Sequence, residues 1–230
     1  KYWGKYSDGD KAYCLGLAAR IVNVINADSF SPVFRPSGVP LIERLQTFLA
    51  TGDERLLRIT LAGVSYEYRA REVMANVIGR ALLSLARSGS LSGAPLIVVV
   101  DEAHNFLGRD IGSEDSAVRL DAFELIAREG RKYGLNLCLA TQRPRDLTEG
   151  VLSQMGTLIV HRLTNDRDRD VVERACGEID RSASAFLPNL KPGEAAVIGV
   201  DFPIPMTIQV EPPKVRPVSD GPNYQRSWRV

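Results

Sequence analysis

Residues 95–102 read Pro-Leu-Ile-Val-Val-Val-Asp-Glu, and this stretch decides the fold class. An unbroken apolar run from Leu96 to Val100, rich in β-branched residues, passes directly into two acids. Without alternating polar positions it reads as a strand buried on both faces of a parallel sheet. A second run, Leu135 to Ala140, has the same character and ends in Thr141-Gln142. Between the two runs the spacing predicts a helix from Ala117 to Tyr133. Its apolar face is carried by Leu120, Phe123, Leu125 and Ile126, and Gly134 stands where a C-terminal cap belongs. Strand, helix and strand in this order predict an α/β three-layer sandwich with a mostly parallel sheet. In such sheets ligands bind beyond the carboxyl ends of the strands. The residues just after each strand are therefore the ones that carry chemistry.

Working outward, a helix is expected within Ala12–Ile25, followed by the proline-containing loop 29–40. A helix over Leu41–Thr51 ends at Gly52, a strand follows over Leu56–Val64, and a long amphipathic helix covers Arg69–Arg87. Beyond the second run, a helix is expected over Leu147–Met155, a strand over Thr157–Arg162 and a helix over Asp166–Cys176. Glu194–Val200 and Met206–Val210 read as a closing β-hairpin around Pro203 and Pro205, with an extended tail from Glu211. The expected organisation is a helical and loop segment over 1–54, a core over 55–210 and the tail over 211–230.

Bulk properties bound the function classes. Of the 230 residues, 44% are hydrophobic and 25% charged, as in an ordinary globular domain rather than a disordered chain. A formal net charge of +1 means that any nucleic-acid contact rests on local clusters, not on bulk basicity. Cys14, Cys138 and Cys176 lack metal-ligand spacing, and Cys138, inside an apolar run, reads as a buried thiol in a reducing cytosol. No signal-peptide pattern and no apolar stretch of about 18 residues occurs, so a cytoplasmic protein with no membrane span is expected. The chain starts at Lys1 rather than Met, which suggests a piece of a longer protein.

The acids after the first run are the strongest chemical signal. Two carboxylates at the end of a buried strand are costly unless a cation or strong donors meet them. In extended chain they point to opposite sides, which assigns them different tasks. Asp101 suits a metal beside phosphates and Glu102 suits activation of a water. The plainer reading is a strand ending in an acidic turn or a helix cap. An amide such as Gln142 at the next strand end can donate to a phosphate and accept from a water, although a polar strand end with a proline-defined turn is the plainer account there too. Arg128 and Arg131, three residues apart, share a helix face. They suit either the helix dipole or a neighbour's phosphate.

The stretches DEAHNF from Asp101, AREGRKYGLNLCLATQRPRDL from Ala127 and LPNLKPGEAAVIG from Leu187 occur in this order. Together they resemble the HerA family of the HerA/FtsK superfamily over roughly residues 55–210. FtsK-like and VirB4-like translocases share the strand that ends in Ala-Thr-Gln-Arg-Pro. The resemblance implies a RecA-like core, a homohexameric ring, and ATP-driven movement of DNA through a central channel. It implies Asp101 and Glu102 as the Walker B pair around ATP and Mg2+, Gln142 as the polar sensor, Arg131 as the arginine acting in trans and Arg128 as its alternate. Thr141 and Asn105 are further candidate contacts to nucleotide. A NurA-like nuclease or a Sir2-like antiviral effector is the implied partner. The alternatives are a VirB4/FtsK-like translocation ATPase and a non-catalytic ring scaffold for a partner enzyme.

One departure is large: no G-x-x-x-x-G-K-[ST] loop occurs in the sequence. The simplest expectation is a C-terminal part cut downstream of that loop, inactive by itself. Weaker candidates remain. His104 is expected as a hydrogen-bonded structural residue, and Arg109, in the polar loop 108–115, as a contact to DNA backbone or part of a solvated acidic loop. Arg143 and Arg145 suit DNA or a subunit interface, and the alternating charges of 162–174 suit a solvated or intersubunit helix face. The tail, with Tyr224 and Trp228, is expected by the resemblance to reach an adjacent subunit.

Overall fold

The computed structural model describes residues 8–34, 38–108, 120–175, 186–199 and 202–215. They fall into two compact units, Lys1–Gln154 and Met155–Val230. In chain order the first unit contains helices α1 (Asp8–Asn26), α2 (Ser31–Phe34), α3 (Leu41–Thr51) and α4 (Ala70–Arg87), strand β1 (Leu96–Val100), helix α5 (Ala122–Glu129), strand β2 (Leu135–Leu139) and helix α6 (Glu149–Leu152). The second contains β3 (Thr157–His161), α7 (Asp166–Ala175), β4 (Glu194–Gly199) and β5 (Phe202–Gln209).

In the first unit, β1 and β2 pair in parallel, from Leu96 opposite Leu135 to Val100 opposite Leu139. A parallel pair needs a crossover, and the chain between the strands supplies it through α5 and a 3-10 turn, Gly130–Tyr133. Gly134, at φ 75°, ends that turn in the left-handed region, and its carbonyl accepts the Leu96 N–H at 2.8 Å, which starts the ladder. Gly130 has no room for a side chain, because a Cβ there would stand 2.4 Å from the Leu135 carbonyl oxygen.

α4 packs on α5, and α5 packs on β2 and α6. Leu82, Leu83 and Ala86 of α4 are buried, as are Phe123 and Ile126 of α5. The helices approach closely at Gly79, where an added Cβ would stand 3.0 Å from the Cβ of Ala122. Two ion pairs tie them at either end of α5, Arg80 to Asp121 at 2.5 Å and Arg87 to Glu129 at 2.7 Å. Buried Asn76 accepts the Ala122 N–H at 3.0 Å through Oδ1, so a side chain of α4 satisfies an orphan donor at the start of α5.

In the second unit the strand order is β3-β4-β5, all antiparallel. Leu187, Leu190, Ala196 and Ile198 form its core, with Val160, Leu163 and Phe186 packed against them. The register of β4 with β5 shifts between Val197 and Gly199. Pro203 and Pro205, which have no N–H to donate, fall in the shifted stretch of an edge strand, where proline is tolerated. α7 opens with Asn165, whose Oδ1 accepts the Arg167 N–H at 3.0 Å. Arg169 pairs with Asp166 one turn earlier, in line with a helix face held by ion pairs.

Several expectations are corrected. Residues 56–64 form no strand. Their backbone groups are taken locally: Val64 N–H donates to Leu61 O at 3.0 Å, and Arg71 Nε donates to Val64 O at 2.6 Å. Leu61 and Val64 join Phe30, Ala70 and Val24 in a small cluster instead. The helix expected from Ala117 begins at Ala122 and tightens into the 3-10 turn after Glu129, with 117–119 outside the described residues. The helix expected over Leu147–Met155 is limited to Glu149–Leu152. Pro203 and Pro205 lie within β5 and do not form a turn. Among the described residues the sheet is also not mostly parallel. Apolar runs report burial and not strand direction, so the antiparallel pairing of β3 with β4 was not distinguishable in the sequence. Nor is β1 covered on both faces, since Ile97 and Val99 are 63% and 65% exposed. Cys138 is exposed and free rather than buried, because it lies in register with Val99. Cys14 is also exposed, and Cys176 lies outside the described residues. Among the described residues, no helix is long and apolar enough to cross a membrane.

Asn76→Ala removes the acceptor for a buried N–H, so we expect it to lower unfolding free energy by about 1–3 kcal/mol. Urea titration checks this, and a midpoint unchanged from the parent would count against the capping role.

Candidate functional site

The carboxyl ends of β1 and β2 meet through an irregularity. Ala140 N–H donates to Val100 O at 3.0 Å, and Ala140 O accepts the N–H of Ala103 at 2.9 Å. In a regular parallel ladder the second partner would stand two positions beyond the first; here it stands three beyond. Asp101 and Glu102 thus share the space of one strand residue, as in a bulge. Glu102 absorbs the kink with φ 48° and ψ 46°, the left-handed region that side chains other than glycine seldom adopt. The two acids therefore do not sit as alternating residues of an extended strand, which corrects the sequence expectation. Asp101 Oδ1 accepts the Glu102 N–H at 3.0 Å, and Glu102 O accepts the Asn105 N–H at 2.9 Å. Ala103 is fully buried and anchors the turn.

Two side chains approach Glu102 and a third backs one of them. Gln142 Nε2 donates to Glu102 Oε1 at 3.0 Å. His104 Nδ1 lies 3.4 Å from Glu102 Oε2 and 3.1 Å from Thr141 Oγ1. Thr141 Oγ1 also accepts the Arg143 N–H at 3.0 Å. Two further links fasten the chain after β1 to the chain after β2: Thr148 N–H donates to Leu107 O at 3.2 Å, and Gly108 bridges Leu147. Buried Leu107, Pro144 and Leu147 support them.

The candidate residues therefore divide. Asp101, Glu102, Thr141 and Gln142 stand at the two paired strand ends, with Asn105 exposed in the short 3-10 turn Ala103–Asn105. Arg128 and Arg131 lie at the opposite end of the crossover, before β2 begins. Arg128 closes α5 and approaches Glu129 at 3.8 Å, whereas exposed Arg131 sits in the 3-10 turn and makes no ion pair among the described residues. Arg143 and Arg145 both pair with Asp146, at 3.0 and 3.6 Å. Arg109 and most of the loop 108–115 lie outside the described residues, as do Tyr224 and Trp228. His104 is hydrogen-bonded, as expected of a structural residue, but its partner was not legible. The sequence shows a histidine after two acids, but the contact with Thr141 crosses 37 positions and has no local signature.

A metal at this site is a question of donor chemistry. Among the described residues no cluster of three or more His, Cys, Asp or Glu could enclose an ion. Asp101 supplies one exposed carboxylate, a hard oxygen donor. That set fits Mg2+, which is commonly held by one or two carboxylates with water and phosphate completing its shell.

No protein-family model matches the chain. It is 38% identical over 116 residues to the DNA double-strand break repair helicase HerA of Pyrococcus furiosus, covering 50% of this chain and 20% of that protein. It is 30% identical over 135 residues to the protein of the same name from Saccharolobus solfataricus, covering 59% of this chain and 26% of that one. The chain thus spans about a fifth to a quarter of the length of these relatives. Among solved structures, the DNA-packaging ATPase of Sulfolobus turreted icosahedral virus aligns with a TM-score of 0.49 and 16% identity, covering 68% of this chain and 73% of that one.

The Arg87 pair gives the far end of the crossover a pH signature. The hydrogen bond from Arg87 chiefly holds the Glu129 carboxyl below the usual glutamate range; burial opposes it by more than any one neighbouring charge, and the charges of Arg87, Arg128 and Lys132 add to the lowering. A depressed carboxylate stabilises the fold above the ordinary glutamate range, and that contribution is lost as pH falls through the lowered folded-state value. Arg87→Met should raise the Glu129 value, read by carboxyl carbon-13 titration; an unmoved titration would remove the pair as its cause. By sequence, the chain is similar to the DNA double-strand break repair helicases HerA over 50% to 59% of its length.

Proposed function

We propose that this chain carries the water-activating part of an ATP-hydrolysing site in a HerA-type DNA translocase. The observation that supports this reading best is the meeting of Glu102 and Gln142 at 3.0 Å across two parallel strand ends. A carboxylate oriented by an amide is suited to take a proton from an attacking water, and the same amide can donate to a phosphate oxygen. Glu102 is the general base, Gln142 the sensor, and Thr141 and Asn105 flank the phosphates. Asp101 would hold Mg2+, which when bound neutralises charge on the phosphates.

The rest of the assembly follows from the same reading. The core over 55–210 is RecA-like, a three-layer sandwich preceded by the segment 1–54 and followed by a tail over 211–230 that reaches an adjacent subunit. Six copies form a ring around DNA, and exposed Arg131 meets the nucleotide of a neighbour, with Arg128 as the alternate. Arg131 is favoured because Arg128 has Glu129 beside it. A NurA-like nuclease or a Sir2-like effector completes the system.

In the natural full-length protein, Glu102→Gln should lower ATP turnover at least a hundredfold while leaving nucleotide affinity within a few-fold, the range expected for loss of a general base. Steady-state hydrolysis and fluorescent-nucleotide titration measure the two quantities. Turnover that persists in this variant would refute the role of Glu102. Rings that form and bind a partner enzyme without hydrolysing ATP in the parent protein would favour a non-catalytic scaffold.

A further inference from the structure

His104 stands between the two strand ends and belongs to neither the metal ligand nor the base nor the sensor. Its side chain is only 14% exposed, so its ring nitrogen has few competitors from water. Nδ1 faces two oxygens, Thr141 Oγ1 at 3.1 Å and Glu102 Oε2 at 3.4 Å. An ionised carboxylate only accepts hydrogen bonds, and the Thr141 hydroxyl keeps a lone pair after accepting the Arg143 N–H. A bare lone pair on Nδ1 would face the carboxylate repulsively, so we assign the proton to Nδ1, hydrogen-bonded to Thr141 Oγ1 with its positive end beside Glu102 Oε2. Gln142 holds the other carboxylate oxygen at 3.0 Å. Glu102 is thereby gripped from both sides, by an imidazole anchored to Thr141 just beyond β2 and by the amide of Gln142 that follows it. The grip matters because Glu102 occupies a left-handed conformation and not a regular strand position, so its direction is set by these contacts.

We propose that His104 is a positioning residue that couples Glu102 to the head of β2 through Thr141, so that movement at the sensor strand carries the base with it. The inference rests on Glu102 being the water-activating base. His104 touches no reacting atom; it acts by aiming the carboxylate, and removal of such an outer partner typically costs ten- to a hundredfold in activity.

The test uses the natural full-length protein and five variants. His104→Leu should reduce kcat about tenfold or more with KM for ATP changed less than about twofold, since binding contacts are untouched. His104→Asn, whose amide N–H stands near the place of Nδ1, should restore at least half of kcat. Thr141→Val should reduce kcat by itself, and the double variant with His104→Leu should fall no further than the worse single, because both break one chain of contacts. A His104→Leu protein with parental kcat overturns the proposal, as does an Asn variant as slow as the Leu variant, or a double variant whose losses multiply. If Glu102→Gln retains turnover, the ATPase reading itself has failed. If Glu102→Gln is dead and His104→Leu is not, only the positioning role has failed. His104→Asn keeps the test open if the Leu variant does not fold.

Discussion

The hydrogen bonds of one residue, Ala140, set the geometry on which the candidate site depends. Its N–H reaches Val100 at 3.0 Å and its carbonyl is reached by Ala103 at 2.9 Å, so the chain between those two partners must fit one residue too many. The surplus is expelled as the Asp101-Glu102 kink. A left-handed residue with a side chain costs about 1–2 kcal/mol. Each net backbone hydrogen bond returns about 0.5–1.5 kcal/mol. The bonds into and out of the kink, from Ala103, Asn105 and Glu102 N–H, together with the burial of Ala103, are enough to offset it. The kink is therefore maintained chiefly by the paired strands, with the Asp101 carboxylate adding one bond of its own.

That ladder is in turn located by the α4–α5 pair. The crossover must return the chain to start β2 beside β1, and its last turn is confined by Gly130, where any Cβ would meet the Leu135 carbonyl oxygen at 2.4 Å. Between Asn76 at its start and Arg87 at its end, α5 has little freedom to slide along α4. Small residues at Gly79 and Ala122 allow the close approach that makes those polar contacts reachable. Arg131 follows Gly130 directly, so the same steric limit that starts β2 also fixes the backbone from which this arginine extends.

The sequence made the strand ends legible because apolar runs that stop at polar residues carry information within a few positions. Leu96–Val100 and Leu135–Leu139 were recognised nearly to the residue, and so were α3, ended by Gly52 at φ 65°, and α4. What was not legible depended on partners far along the chain. Residues 56–64 have strand-like composition, yet Arg71 takes their carbonyl groups and no neighbouring strand pairs with them. Direction of pairing was equally hidden, since the alternation of Thr157–His161 does not say whether β4 arrives parallel or antiparallel. At the site, the identities of Asp101, Glu102 and Gln142 were readable but their arrangement was not. The kink arises from register against Ala140, and His104 acquires its neighbours only once both strand ends are assembled.

The choice of partners around Glu102 has its own physical logic. An arginine within hydrogen-bonding distance would stabilise the ionised form of a carboxylate and lower its affinity for a proton. That suits a structural ion pair and works against a general base, whose task is to accept one. Arginines are close by in sequence, yet Arg143 and Arg145 are both directed to Asp146, at 3.0 and 3.6 Å. Glu102 is left with an amide and an imidazole, which fix its direction without placing a permanent charge against it. Asp146 thus acts on the site from outside it. By pairing with Arg143 and Arg145 in the turn that Pro144 opens, it keeps these cations on its own carboxylate, which in the proposed reading leaves Glu102 oriented without a permanent positive partner.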